Sequence, residues 1–341
     1  MKANRLICAF LFMILGVATA QQTKIMSNVT NNETFEALKT KAENGDAVAQ
    51  YNLGYCYAKG QYVAKDGAEA VKWYRKAAEQ NFAEAQSDLG NCYDKGFGVT
   101  QDYVEAVKWY RMAAEQNDAI AQLNLAICYE KGQGVVVDFA EVVKWYRKAA
   151  EQNLAQAQSN LGVSYEKGQG VMQDSAEAVK WYRLAAEQNY APAQFNLAVS
   201  YDNGRGVAQD EVEAAKWYRK AANQNDADSQ YNLGNCYYGG QGVSKDYAEA
   251  AKWFRKAAEQ NYASAQYNLG TAYANGQGVA MDLVVAHKWW LLAAAQGNEN
   301  AKRNLPHLEH DMNREQIAES QKLAREFKPQ KRQESGGSVS H

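Results

Sequence analysis

Residues 46–81 read DAVAQYNLGYCYAKGQYVAKDGAEAVKWYRKAAEQN, and the stretch recurs in register through residue 297. Tryptophans at Trp73, Trp109, Trp145, Trp181, Trp217, Trp253 and Trp289 stand 36 residues apart, and leucines from Leu53 to Leu269 and tyrosines from Tyr57 to Tyr273 keep the same step. A fixed period of this size marks a helical solenoid, in which each unit buries its apolar face against its neighbours. Within the unit, Ala47, Ala49, Leu53, Gly54 and Tyr57 fall at helical spacing and predict a first helix over about residues 46–58. Gly54, alanine in two repeats (Ala126 and Ala198), leaves room for another helix to come close. The loop that follows, Gly96-Phe97-Gly98-Val99 in the second repeat, has two glycines one residue apart, as a tight turn with positive φ requires. The first repeat departs by placing Tyr62 at the second glycine.

A second helix opens at Asp66, Asp102, Asp138, Asp174, Asp210 and Asp246, each followed three residues later by glutamate, from Glu69 to Glu249. That spacing predicts a capping box with aspartate as the cap. Asp282 is followed instead by Val285, which predicts a weaker start. The second helix carries Trp73 and Ala77 on one face and ends at Asn81, with asparagine at the same place through Asn261 and Gly297 in the last repeat. Asparagine and glycine best tolerate the left-handed position that closes a helix.

The set Ala-x-Ala-Gln-x-x-Leu-Gly-x-x-Tyr, Gly-x-Gly-Val, Asp, Ala-x-x-Trp-x-x-x-Ala-Ala resembles the Sel-one-like repeat family, relatives of the tetratricopeptide repeats, seven times over about residues 46–297. The family usually has glycine at the helix end where this chain has asparagine. The resemblance implies an all-α fold, a right-handed superhelical solenoid of antiparallel helix pairs whose first helices line a concave face. Seven 36-residue repeats over 46–297 would stand between a capping helix at 34–45 (Phe35, Leu38, Ala42) and capping helices at 298–327. There Asn313 and Gln316 repeat the capping-box spacing ahead of Ile317, Ala318, Leu323, Ala324 and Phe327.

The ends read differently. Lys2 and Arg5, an apolar run from Leu6 to Val17 and Ala18-Thr19-Ala20 predict a signal peptide over residues 1–20, with a mature chain beginning at Gln21. The apolar run is too short for a membrane span. Residues 21–33 read as a flexible leader, where Asn28-Val29-Thr30 and Asn32-Glu33-Thr34 match the glycosylation sequon, and 328–341 as a tail too polar to pack. The expected location is secreted or periplasmic, without membrane insertion after cleavage. Loss of Lys2 and Arg5 takes the formal charge from −2 to −4. With both signs interspersed, this balance gives no broad attraction for nucleic acid or an anionic membrane.

Catalytic chemistry is absent from the pattern: there is no phosphate loop, zinc-cysteine pairing, HExxH or nucleophile elbow. Ser164-Tyr165-Glu166-Lys167 fits Ser-x-x-Lys, but Lys-Thr-Gly is missing and the motif lies within the repeat frame. Some cysteine-rich members of the family are linked to β-lactam binding, so the resemblance alone implies a runner-up, a β-lactamase-like or peptidoglycan-active enzyme. His307, Glu309 and His310 read as a solvated turn after Pro306 rather than a metal site, which needs more ligands. Cys56, Cys92, Cys128 and Cys236 share one slot of the repeat, and stacked equivalents about 10 Å apart are beyond disulfide reach, so free thiols are expected. No cofactor or metal is expected.

A partner surface is sought on the first helices. Asn52, Asn124, Asn160, Asn196, Asn232 and Asn268 form one column, with Asp88 at the second repeat. Asparagine is a poor interior helix residue, and its amide offers a donor and an acceptor to a peptide backbone. It could equally bond the adjacent repeat. A variable column holds Tyr51, Ser87, Leu123, Ser159, Phe195, Tyr231 and Tyr267, and with Tyr238 the late aromatics read either as an anchor or as lateral packing. Asp94, Glu130, Glu166 and Asp202 predict an acidic middle suited to a basic or polar ligand. The reading is an exported, monomeric, non-catalytic scaffold for a peptide or protein, with a self-assembling envelope component as a further alternative.

Overall fold

A computed structural model describes residues 35–330; the expected signal peptide, the expected leader with its sequons and the end of the expected tail lie outside them. Every element is α-helical, and the described residues contain no strand. They fall into two compact units, one reaching Leu161 and including Gly168–Met172, the other Gly162–Lys167 and Gln173 onward. The first unit holds α1 (Phe35–Glu43), α2 (Ala47–Lys59), α3 (Gly67–Glu79), α4 (Ala83–Lys95), α5 (Tyr103–Glu115), α6 (Ala119–Lys131) and α7 (Phe139–Glu151). Helix α8 (Ala155–Lys167) contributes to both. The second unit continues with α9 (Ser175–Glu187), α10 (Ala191–Asn203), α11 (Glu211–Asn223), α12 (Ala227–Gly239), α13 (Tyr247–Glu259), α14 (Ala263–Asn275), α15 (Leu283–Ala295), α16 (Glu299–His310) and α17 (Arg314–Arg325). Even-numbered helices from α2 to α14 are the first helices of the seven repeats, and odd-numbered ones from α3 to α15 the second.

Local chemistry sets these boundaries. Asp66 Oδ1 accepts the amides of Ala68 and Glu69 at 2.9 and 3.1 Å, and the other second helices begin on the equivalent aspartate. The expected capping box is only half made. The aspartate's own N–H donates to the first helix, as from Asp66 to Tyr57 O at 3.0 Å, so the glutamate has no free donor to reach. Glu69 pairs instead with Lys72 at 2.8 Å. Asn313 and Gln316, by contrast, form the full reciprocal box at the start of α17.

The asparagines closing the second helices, from Asn81 (φ 65°) to Asn261 (φ 64°), adopt the left-handed conformation, as does Gly297 (φ 89°). They do more than turn the chain. Asn81 Oδ1 accepts Gln86 Nε2 from the next first helix at 3.2 Å and Gln116 Nε2 from the second helix beyond at 3.0 Å. Gln116 also donates to Gln86 Oε1 at 2.7 Å, while Gln86 donates to Ala78 O. The pattern repeats at Gln152 and Gln122 in the first unit and at Gln224, Gln260 and Gln296 in the second. Within each unit, neighbouring repeats are thereby stitched by carboxamide pairs in which the glutamine of the first helix is buried and hydrogen-bonded.

Close packing explains the glycines. A Cβ at Gly54 would stand 2.7 Å from the Tyr74 ring of the same repeat. One at Gly98 (φ 70°) would run into the Gly67 carbonyl at the start of α3, so the loop lies on the preceding repeat's second helix. Tyr62 (φ 65°) fills that slot in the first repeat and is 63% exposed. Leucines Leu53, Leu89, Leu125 and Leu161 in the first unit and Leu197, Leu233 and Leu269 in the second are wholly buried. Five of the seven column tryptophans are buried too, Trp181 and Trp217 being half-buried.

The carboxyl end is built in frame. Ala301, Asn304 and Leu305 of α16 follow Ala265, Asn268 and Leu269 by 36 residues, making α16 an eighth first helix with Pro306 inside it rather than before a solvated turn. Helix α17 packs on α15 through His287, whose Nδ1 lies 2.6 Å from Ser320 Oγ and Nε2 3.0 Å from Glu309 of α16. Beyond it Phe327 meets the Trp289 ring edge-on at 5.5 Å, and Gln330 N–H donates to Glu259 O at 2.8 Å.

Candidate partner-binding face

The asparagine column divides on inspection. Asn52 and Asn124 in the first unit, and Asn196 and Asn232 in the second, are half-buried, and their side-chain amides make no hydrogen bond among the described residues. Asn160 is engaged with the Tyr146 hydroxyl. At the carboxyl end the column bonds to its neighbours: Asn268 Nδ2 donates to Asn235 Oδ1 at 3.3 Å, and Asn304 Nδ2 to the Tyr267 hydroxyl at 3.1 Å. Asp88, standing in the column at α4, accepts the Tyr51 hydroxyl. Its carboxyl is pushed up to about 6, chiefly by loss of water and further by Asp118 and Glu84, against the pull of Tyr51 and Lys59.

The aromatic column is mostly lateral packing. Tyr51 is only 6% exposed, its ring against Tyr74 at 5.7 Å and Phe82 at 5.4 Å, which removes it from any contact surface. Phe195 leans on Tyr218 at 6.1 Å, Tyr231 on Phe254 at 6.0 Å and on Tyr262 at 5.1 Å, and Tyr267 stacks on Trp290 at 6.1 Å. Each of these rings rests on the second helix of its own repeat and stays half-buried. Tyr238 stands apart at the end of α12, exposed and edge-on to Tyr247 at 5.2 Å. These aromatics make no common cluster, because the repeat spaces them one helix pair apart.

The acidic column has an internal task that the sequence reading missed. Tyr146 OH donates to Glu130 at 2.9 Å, Tyr182 OH to Glu166 at 2.6 Å and Tyr218 OH to Asp202 at 3.2 Å. A buried hydroxyl needs an acceptor, and the carboxylate sixteen residues earlier supplies it. Burial, with the facing carboxylate, raises these phenols far above their ordinary range. Where the second helix lacks the hydroxyl, at Phe254 and Trp290, the acid slot holds Tyr238 and Ala274, although the first repeat keeps Tyr74 with Ala58 in that slot. That partial covariation was available in the repeats themselves. Asp94 pairs with Lys95 at 2.7 Å while Tyr110 bonds Asn91, and Glu166 lies 3.7 Å from Arg205, so the middle of the face carries less free negative charge than its composition suggests.

The motifs weighed for chemistry do not converge. Ser164 is buried in α8, in the slot the cysteines hold elsewhere. Cys56, Cys92, Cys128 and Cys236 are free and buried, and burial pushes the Cys92 and Cys236 thiols up to about 12, which makes them poor nucleophiles. Glu309 turns to His287 rather than joining His307 and His310, and no cluster among the described residues could hold a metal ion.

Helix pairs of one length, the second of each opening on the same aspartate cap and neighbours tied by side-chain amides, define a helical-repeat scaffold. The Sel1 repeat matches at residues 47–82, 83–118, 119–154, 155–190, 191–226, 227–262 and 263–298, and the chain belongs to the Sel1 repeat family. A protective antigen of uropathogenic Escherichia coli with an SLR fold superposes with a TM-score of 0.80 at 40% identity, over 86% of this chain and 65% of that one. A Sel1 repeat protein from Oxalobacter formigenes superposes with a TM-score of 0.68 at 32% identity, over 87% of this chain and 93% of that one. The secretory immunoglobulin A-binding protein EsiB of Escherichia coli O6:H1 strain CFT073 is 48% identical over 46 residues, 14% of this chain and 9% of its own length. This chain therefore spans less than two thirds of the antigen and a small part of EsiB in these matches. No helix among the described residues is long and apolar enough to cross a membrane.

Proposed function

We propose that this protein is an exported, non-catalytic scaffold that holds a peptide or protein segment against its first helices. The observation that supports this most is the set of unengaged carboxamides at Asn52, Asn124, Asn196 and Asn232, against the internally bonded Asn268 and Asn304. A half-buried amide with a free donor and acceptor is matched by a peptide unit, and repetition sums modest contacts over an extended ligand. EsiB is named for binding secretory immunoglobulin A, so one relative takes a protein partner.

The test is a crosslinking pull-down from host envelope and secreted fractions, with mature protein and an Asn124→Ala/Asn196→Ala/Asn232→Ala variant as baits. Immobilised secretory immunoglobulin A serves as a defined ligand alongside. Loss of the partner in a variant of unchanged helicity and melting supports the asparagine face; retention moves binding elsewhere. Export is tested by mass spectrometry of the protein recovered outside the cytoplasm, which is expected to begin at Gln21.

A further inference from the structure

The sixth and seventh repeats both depart from a local pattern at three places; the sixth fills the acid slot with the ring of Tyr238, the seventh leaves it to Ala274. In the fifth repeat Asp202 accepts the Tyr218 hydroxyl, and Gln209 Nε2 closes over the Asp202 carbonyl at 2.9 Å. The fourth repeat does the same with Glu166, Tyr182 and Gln173. Their counterparts in the seventh are Ala274, Trp290 and Met281. The carboxylate, the phenol and the amide lid are gone, and the Trp290 indole N–H donates away from the gap, to Tyr267 O at 3.1 Å.

What remains is a cavity of about 380 Å³ between α14, the start of α15 and α16. That is within the size range of small-ligand sites. Its apolar walls are Trp290, Leu283, Leu308 and Met281, the last 69% exposed at the mouth. One side of α16 adds Asn304 and His307, and the residue that closes the helix, Asp311, adds the one carboxylate of the lining, exposed at its edge. No lysine or arginine lines it, and the slot that Lys167 holds in the fourth repeat is here Asn275.

We propose that this cavity is a binding site for an alkylammonium group, its carbon stem against Trp290, Leu283 and Met281 and its charge on Asp311. In the assembled complex the group is a lysine side chain of the bound segment. That assignment rests on the scaffold reading, whereas the affinity of the cavity for the group does not. An apolar stem ending in a cation buries its methylenes and meets the only carboxylate of the lining. A carboxylate ligand would face Asp311 with like charge, and an alcohol would leave Asp311 without an ionic partner.

The probes are n-hexylammonium, n-hexanol and hexanoate, titrated into the mature full chain. The readout is the Trp290 indole resonance in nitrogen-15 correlation spectra, assigned with Trp290→Phe. Hexylammonium is expected to shift it saturably and to bind about two- to fivefold more tightly than hexanol, the difference an exposed ion pair contributes. Asp311→Asn should bring the two probes level, and Ala274→Leu, which refills the gap, should abolish both responses. Equal binding of hexanol and hexylammonium, an unchanged preference in Asp311→Asn, or no saturable shift would each overturn the proposal. Because no partner is present, failure here leaves the asparagine face standing, and loss of partner binding there leaves this result standing.

Discussion

Tyr182 is a phenol in the core whose hydroxyl sits 2.6 Å from Glu166, and the pair shows how one residue's environment decides another's identity. Glu166→Ala should cost about 1–3 kcal/mol by orphaning the hydroxyl, and Tyr182→Phe in that background should recover most of it. Denaturation of both single variants and the double variant measures the coupling; additive losses would show that the pair contributes nothing jointly. Asp88 makes a pH prediction. Its folded carboxyl titrates near 6 against an ordinary value near 3.8, so the folded state favours the proton. Stability from this group is full below pH 4 and is lost as pH rises through about 6. Asp88→Asn should therefore stabilise the protein at pH 7 by about 1 kcal/mol, solvent screening included, with the gain fading towards pH 4. Melting curves at the two pH values check it, and an equal gain at both would remove the carboxyl as its source.

Between helices, the closing asparagines separate backbone from side-chain effects. Asn117→Gly keeps the left-handed turn but deletes the acceptor for Gln122, at 3.2 Å, and Gln152, at 3.3 Å. It should cost about 1 kcal/mol although glycine is the easier residue there. An unchanged midpoint would reduce the asparagine to a turn residue. Helix positions, aspartate caps and left-handed ends were legible in the sequence because each follows from chemistry within a few residues of the chain. The glutamine ladder was not, since Gln86 and Gln116 are separated by 30 residues and each reads alone as an ordinary polar helix residue. The acidic column's internal task was hidden for the same reason. Glu130 and Glu166 look like surface charge until the tyrosine sixteen residues on is placed beside them. His287 was invisible, because Ser320 and Glu309 become its neighbours only when α16 and α17 fold back.

Over the whole molecule, nearest-neighbour stitching predicts stability that fails locally and from the ends. Truncation before Asn313 removes Ser320 and Phe327 from His287 and Trp289. Hydrogen exchange should then show lost protection in α15 and α16 with protection retained in α4 to α6; a uniform loss would make the array one cooperative body. Tyr62 bears on a different question. At every later loop a side chain in that slot would strike the backbone of a preceding second helix, as Gly98 shows at Gly67. The first loop carries just such a side chain, and its ring stands out to water. Tyr62 therefore holds a left-handed backbone that its own side chain resists, a local strain that glycine spares the later loops.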